Sequence, residues 1–370
     1  MIYLDNGATS FHKPPQVKQA VVRAMERCAN PGRGGYRAAM EAARTVYDCR
    51  EAAGRLFHCD PEQVVLTSNC THGLNMAIRT LVKPGQPVVI SGFEHNAVVR
   101  PLHALNAKMT VAGRKLFDWD DTLQQWEQAL KETPKAAVFT HLSNVFGYIL
   151  PVQELAQLCR QYGVPFVVDA AQSAGSIPLD FQSLGADFIA MPGHKGLLGP
   201  QGTGLLLCAR EPTPLLYGGT GGNSISKEMP RELPDRAEAG TGNVPGAAGL
   251  AAGLRYLQQT GVETIGRREK AQADLCVREL EKLGLQVFSG DHRSGTVSFV
   301  TKTDCEEAAL AFAGQGIGLR AGLHCAPLAH ESAGTLKTGT LRISFGHDAS
   351  GRQSAEFLRA AKTLKIRGEI

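Results

Sequence analysis

The chain of 370 residues predicts an α/β fold in which a large domain, built on a mostly parallel sheet flanked by helices, carries a smaller α+β domain. Three observations lead there. Short apolar runs alternate with stretches of helical period through the first half of the chain, the pattern of parallel strands joined by helical crossovers. Residues 213–245 then turn rich in Gly, Pro and charge without sustained periodicity. Beyond them a long helical stretch gives way to spaced strands.

Taken in order, the run at 64–66 (Val-Val-Leu) precedes a helical pattern at 73–82, and Val88-Val89-Ile90 precedes one at 96–105. Residues 136–140 read as a strand before a helix at 152–162, and 164–168 as the next strand. Two further apolar runs, 187–191 and 205–208, bracket a glycine-lined loop. Residues 246–283 read as helix, with strands expected at 285–288, 295–300 and 339–345 between helices. The expected division is a large domain at 15–245 and a small one made of 1–14 and 246–370.

Composition narrows the function. A net charge of +4 without a dense Lys/Arg cluster gives nucleic acid or a membrane surface no footprint, so the expected partner is a small molecule. No apolar stretch is long enough to span a bilayer and Met1 opens on sequence that reads as folded, so a cytoplasmic location is expected. The nine cysteines are odd in number, scattered and without a Cys-x-x-Cys pair, which argues against a disulfide framework and against a structural metal site.

Chemistry concentrates in a few segments. Lys195, in Pro192-Gly193-His194-Lys195, falls on the loop between two apolar runs, where desolvation favours the neutral, nucleophilic amine; an exposed head on a buried stem is the alternative. Asp169 ends the strand 164–168, where it either caps the following turn or keeps a cofactor's pyridine nitrogen protonated, with Gln172 within reach of a ring hydroxyl. The segment Thr67-Ser68-Asn69-Cys70-Thr71-His72-Gly73 lies at a strand-to-helix junction, suited equally to capping and to holding a phosphate. His95 follows the strand at 88–90 and could stack on a planar ring. Cys325 lies in Arg320-Ala321-Gly322-Leu323-His324-Cys325, a glycine-bearing loop with basic neighbours, and Arg342 in a strand whose other residues are apolar or small.

Together these segments resemble the class V aminotransferase group of pyridoxal-phosphate enzymes, which have the fold type I architecture, and within it the cysteine desulfurases and selenocysteine lyases. The likeness runs through Tyr3-Leu4-Asp5-Asn6-Gly7-Ala8-Thr9, Glu94-His95-Asn96, His141-Leu142-Ser143-Asn144-Val145-Phe146-Gly147, Asp169-Ala170-Ala171-Gln172, Gly193-His194-Lys195, Ala239-Gly240-Thr241-Gly242-Asn243, His324-Cys325-Ala326 and Gly339-Thr340-Leu341-Arg342.

The resemblance implies pyridoxal 5′-phosphate as cofactor, with Lys195 as its Schiff-base lysine, Asp169 on the ring nitrogen, Gln172 on the ring oxygen and His95 stacked on the ring. It implies that Cys70, Thr71 and His194 hold the phosphate, joined by Thr241 from the neighbouring subunit of a homodimer with shared active sites. Asn144, beside the cofactor, would hold the amino acid substrate with Arg342 and Arg320, and Cys325 would accept sulfur for transfer to an acceptor protein. The short span from Cys325 to Arg342 is similar to the group II desulfurase and selenocysteine lyase branch. That branch has Arg-Thr-Gly-His-His-Cys, where this chain has Ala321 and Leu323, and Cys70 stands where Thr is common. The expected reaction converts L-cysteine to L-alanine with a persulfide on Cys325. Selenocysteine lyase, transaminase or another β-lyase are alternatives on the same fold, and a non-catalytic sulfur carrier or scaffold is an alternative of a different kind.

Overall fold

The structure, a computed structural model, describes residues 1–32, 34–222 and 224–370. Its strands up to Cys208 are β1 (Ile2–Tyr3), β2 (Val64–Thr67), β3 (Pro87–Ser91), β4 (Lys108–Ala112), β5 (Ala136–Thr140), β6 (Phe166–Asp169), β7 (Phe188–Pro192) and β8 (Gly204–Cys208). Seven of them form one sheet in the order β2-β8-β7-β6-β5-β3-β4. β8 alone runs antiparallel, to both β2 and β7, so the remaining six point the same way. The central strands β5, β6 and β7 are buried at every residue, which is why they read as unbroken apolar runs. β4 alternates instead between exposed and covered positions at the sheet edge, and its pattern is too weak to stand out in the sequence.

Helices cover both faces. The helix Cys70–Leu81 starts where the Asn69 side chain accepts the His72 N–H at 2.9 Å, and it buries Leu74, Ala77 and Ile78 at helical spacing. On the other face Trp126, Phe139 and Phe166 pack with Leu155 and Leu184. Burying one such aromatic or leucine fully contributes roughly 1.5–3 kcal/mol.

The later strands are β9 (Gln286–Phe288), β10 (Thr296–Val300), β11 (Ile317–Gly318), β12 (Arg320–Gly322) and β13 (Thr340–Ser344). Four of them make an antiparallel sheet in the order β12-β13-β10-β9, backed by a separate core that includes Phe299, Phe312 and Phe357. β1 pairs in parallel with β11, and Leu4 enters this second core.

Two expectations change. The single helical stretch expected at 246–283 is two helices, Val244–Thr260 and Val262–Lys282, broken at Gly261, whose φ of 84° lies outside the helical region. The first of these packs its Leu250, Leu254 and Leu257 into the larger core, although the division drawn at 245 assigned it to the smaller domain. Among the described residues no helix is long and apolar enough to cross a membrane, and no group of three or more His, Cys, Asp and Glu is arranged to hold a metal ion.

Candidate active site

The carboxyl ends of the parallel strands gather the candidate residues on one rim: Cys70 and Thr71 after β2, His95 after β3, Asn144 after β5, Asp169 at the tip of β6 and Lys195 after β7. The Lys195 loop is tightly closed. Gly193 N–H donates to the Thr203 carbonyl at 2.8 Å and Gly199 N–H to the Gly193 carbonyl at 2.7 Å. A Cβ on Gly193 would meet Thr203 Oγ1 at 2.1 Å, and one on Gly196 would meet the Ala174 carbonyl at 2.2 Å, so both positions require glycine.

An N-terminal strap reinforces this loop. The His194 carbonyl accepts from Ser10 N–H at 3.1 Å, Ser10 Oγ at 2.9 Å and Lys13 Nζ at 2.9 Å, and the His194 ring pairs with Thr9 Oγ1 at 3.0 Å. The same strap reaches the small sheet: Asp5 pairs with Arg342 at 2.6 Å and Gly7 N–H donates to Ser344 Oγ at 2.7 Å.

Electrostatics separate the roles. Burial lowers the Lys195 pKa from the ordinary ammonium value, against the opposing pull of Cys70 and Asp169, so a larger share of the amine is neutral. Asp169 is buried and its pKa rises through desolvation, while the Ala171 N–H, Lys195 and the Cys70 thiol pull it back. Its Oδ1 accepts from Ala171 N–H at 2.9 Å and from Cys70 Sγ at 3.5 Å. The turn-capping and charged-partner readings of Asp169 are therefore compatible, since Oδ1 serves the turn and Oδ2 takes no hydrogen bond from the described residues.

Burial, with Lys195 and nearby arginines, brings His95 down to about 4. Its Nδ1 accepts the Ala97 N–H at 3.0 Å, which leaves the proton of the neutral ring on Nε2. Beneath it, buried Glu94 takes Thr140 N–H at 2.8 Å and the Ser91 hydroxyl, and desolvation pushes its carboxyl up to about 8.

Cys325 is exposed and lies with His324 in two consecutive left-handed residues, φ 57° and 48°. Their main chain is tied to the rim: Asn96 N–H donates to the Cys325 carbonyl at 2.8 Å and Asn144 Nδ2 to the His324 carbonyl at 2.7 Å. His324 itself is buried, its Nε2 3.2 Å from Thr340 Oγ1, and desolvation brings it down to about 2.

Several side chains have geometry the sequence did not disclose. Arg342, 2% exposed, is engaged by Asp5 and donates to the Asn144 carbonyl at 2.8 Å, leaving its buried Nε without a partner among the described residues. Arg320 faces Arg342 across β12 and β13 and is exposed. Gln172 Nε2 donates to the Gly7 carbonyl at 2.9 Å, and the Cys70 thiol turns to Asp169. Thr71 and Thr241 are exposed, the latter in the loop before the helix Val244–Thr260. Asp5, Glu94 and Ser10 carry no local signal of these contacts; Asp5 and Glu94 lie inside motifs already quoted, Glu94 beside His95.

A buried lysine near a buried carboxylate, on the carboxyl rim of this sheet, is the arrangement that the resemblance to the fold type I class of pyridoxal-phosphate proteins implies. The Aminotransferase class-V family model matches residues 2–353, and the chain belongs to that family, which implies dependence on pyridoxal phosphate. A probable cysteine desulfurase of Pyrococcus abyssi is 32% identical over 93% of this chain and 89% of its own. The cysteine desulfurase of Haloferax volcanii is 31% identical over 93% and 85%. Among solved structures, the apo cysteine desulfurase of Thermococcus onnurineus superposes with a TM-score of 0.92 at 31% identity, covering 99% of this chain and 95% of that one. The S-sulfonic acid form of an Escherichia coli cysteine desulfurase gives 0.85 at 26%, covering 99% and 94%.

Proposed function

We propose that this chain is a pyridoxal-phosphate-dependent cysteine desulfurase that takes the sulfur of L-cysteine onto Cys325 as a persulfide and releases L-alanine. The observation that carries the reading is the attachment of an exposed cysteine turn, through Asn96 and Asn144, to the rim that bears Lys195, Asp169 and His95. Relatives at about 31–32% identity over most of the chain carry the same activity in their names.

The residues fit the cofactor. Asp169 keeps one carboxylate oxygen uncommitted, Lys195 is an amine biased toward neutrality, and the first-turn N–H groups of Cys70 and Thr71 are left free by helix geometry at the positive end of their helix. Asp169 would hold the ring nitrogen, Gln172 the ring oxygen, His95 the ring face, and Cys70, Thr71 and His194 the phosphate. When bound, pyridoxal phosphate supplies the electron sink that makes the substrate's Cα proton removable.

The chain's own residues supply the rest. Lys195 Nζ takes and returns protons at the substrate carbon, and His95 offers its Nε2 proton to the departing product. Asn144, Arg342 and Arg320 orient the substrate's amino acid portion. Cys325 Sγ forms the new S–S bond as the substrate's C–S bond breaks, so cysteine and one thiol become alanine and one persulfide. The exposed turn then presents the outer sulfur to an acceptor protein, and Thr241 reaches the phosphate of a second subunit in a homodimer.

The test is to supply purified protein with pyridoxal phosphate and L-cysteine and quantify alanine and protein-bound persulfide. Equal amounts of both, lost together in Cys325→Ala, are expected; alanine formation unchanged in that variant would overturn the reading.

A further inference from the structure

Cys70 opens the helix Cys70–Leu81, and its Sγ lies 3.5 Å from Asp169 Oδ1, a contact between residues 99 apart in sequence. Ala171 N–H reaches that same oxygen at 2.9 Å. Both donors therefore converge on Oδ1. We propose that Cys70 is a positioning residue for Asp169: with Ala171 it fixes the rotation of the carboxylate so that Oδ2 is presented to the cofactor's ring nitrogen, and it ties that acid to the helix end that would hold the phosphate. The proposal rests on the pyridoxal-phosphate reading above.

The surroundings suit a permanent donor. Cys70 is 8% exposed, packed among the apolar residues behind β2, β6 and β7. Burial and the neighbouring Asp169 charge hold its thiol well above the ordinary range, against the pull of Lys195, so the S–H keeps its proton at working pH. The same burial sets it apart from Cys325, because a protonated, enclosed thiol is neither nucleophilic nor accessible. Asp169 needs such help. Desolvation alone would favour its neutral form, which cannot keep a ring nitrogen cationic; the groups opposing that are Ala171 N–H, Lys195 and Cys70, while Glu94 faces Asp169 through the interior.

The experiment measures binding of 4-deoxypyridoxine 5′-phosphate to the cofactor-free protein, since this analogue keeps ring nitrogen and phosphate but has no aldehyde for Lys195. Cys70→Ala and Cys70→Val, the second filling the space without a donor, should each weaken binding about 5–10-fold, and Cys70→Ser should stay within about threefold of the parent. In an Asp169→Asn background Cys70→Val should bring no further loss, because the residue acts through that carboxylate. Cys70→Val binding like the parent, or the same loss in both backgrounds, would overturn the role of Cys70 alone. A parent protein that does not bind the analogue would overturn the cofactor reading with it.

Discussion

The lysine pocket and the cysteine turn both belong to the rim and are built on opposite principles. Lys195 lies in a loop closed by glycine contacts and clasped by four donors on the preceding carbonyl. Cys325 stands in solvent on two left-handed residues whose main chain hangs from Asn96 and Asn144. The difference follows from the work asked of each. A proton-transfer amine gains from desolvation, which weakens its ammonium form, whereas a sulfur carrier has to be reached from outside. Both carry left-handed non-glycine backbone, Leu198 at φ 62° in the lysine loop and His324 and Cys325 in the turn; each such residue costs of order 1–3 kcal/mol and persists only where its surroundings hold it.

The largest effect should come from Lys195→Ala, which removes the amine that moves the proton. Alanine formation should fall by about ten-thousand-fold, followed by product assay, and Cys325 should still react with iodoacetamide at the parental rate. Cys325→Ala should reverse this split, with persulfide lost and the cofactor's visible absorbance retained; a variant that cannot bind the cofactor would show that the two regions are not separable.

Acid should strike the rim as a whole. His95, His141, His194 and His330 are each brought to about 4 and His324 to about 2 by burial, below the ordinary 6.5. A histidine kept neutral in the fold takes up its proton on unfolding, so stability from these groups is present above 6.5 and is lost as pH falls from there toward 4. Glu94 and Glu269, pushed up to about 8, act in the opposite sense, their stabilisation being full below 4.5 and lost as pH rises through 8. Asp169, also raised by burial, acts with the two glutamates, and the five histidines still outnumber the three acids. Urea unfolding of the cofactor-free protein should therefore show stability lower by a few kcal/mol at pH 5 than at pH 7; equal stability at both would mean that these rings are protonated in the fold.

The smallest effect isolates the turn's strain. With φ at 57°, Cys325→Gly should be about 1 kcal/mol more stable than Cys325→Ala in thermal unfolding. A more stable alanine variant would show that the turn relaxes once the thiol is gone.

Much of the larger sheet was legible because its central strands are buried on both faces and are apolar except at their carboxyl ends, Thr140 in β5 and Asp169 in β6. The rim residues were legible because each directly follows such a run. What escaped was pairing over distance. Nothing local marks Asp5 as the partner of Arg342, 337 residues away, or turns the Cys70 thiol from a phosphate site toward Asp169. The direction of β8 is set by the Lys195 loop folding back on itself so that Gly204 pairs with Pro192, which apolar content does not encode. Gly261 sits between two stretches of helical period, and glycine is tolerated often enough inside helices that its break was invisible.

The strap at residues 5–13 joins the beginning of the chain to a strand near its end. During synthesis from the amino terminus Thr9, Ser10 and Lys13 can therefore dock on His194 once the large sheet is made, whereas Asp5 and the Gly7 N–H lack their partners until β13 has been made and folded. The large sheet and the clasp over the lysine loop can assemble earlier, but the arginine at its edge is seated late. Arg342 is thus the last of the rim's side chains to meet its partner, although that partner is among the first residues made.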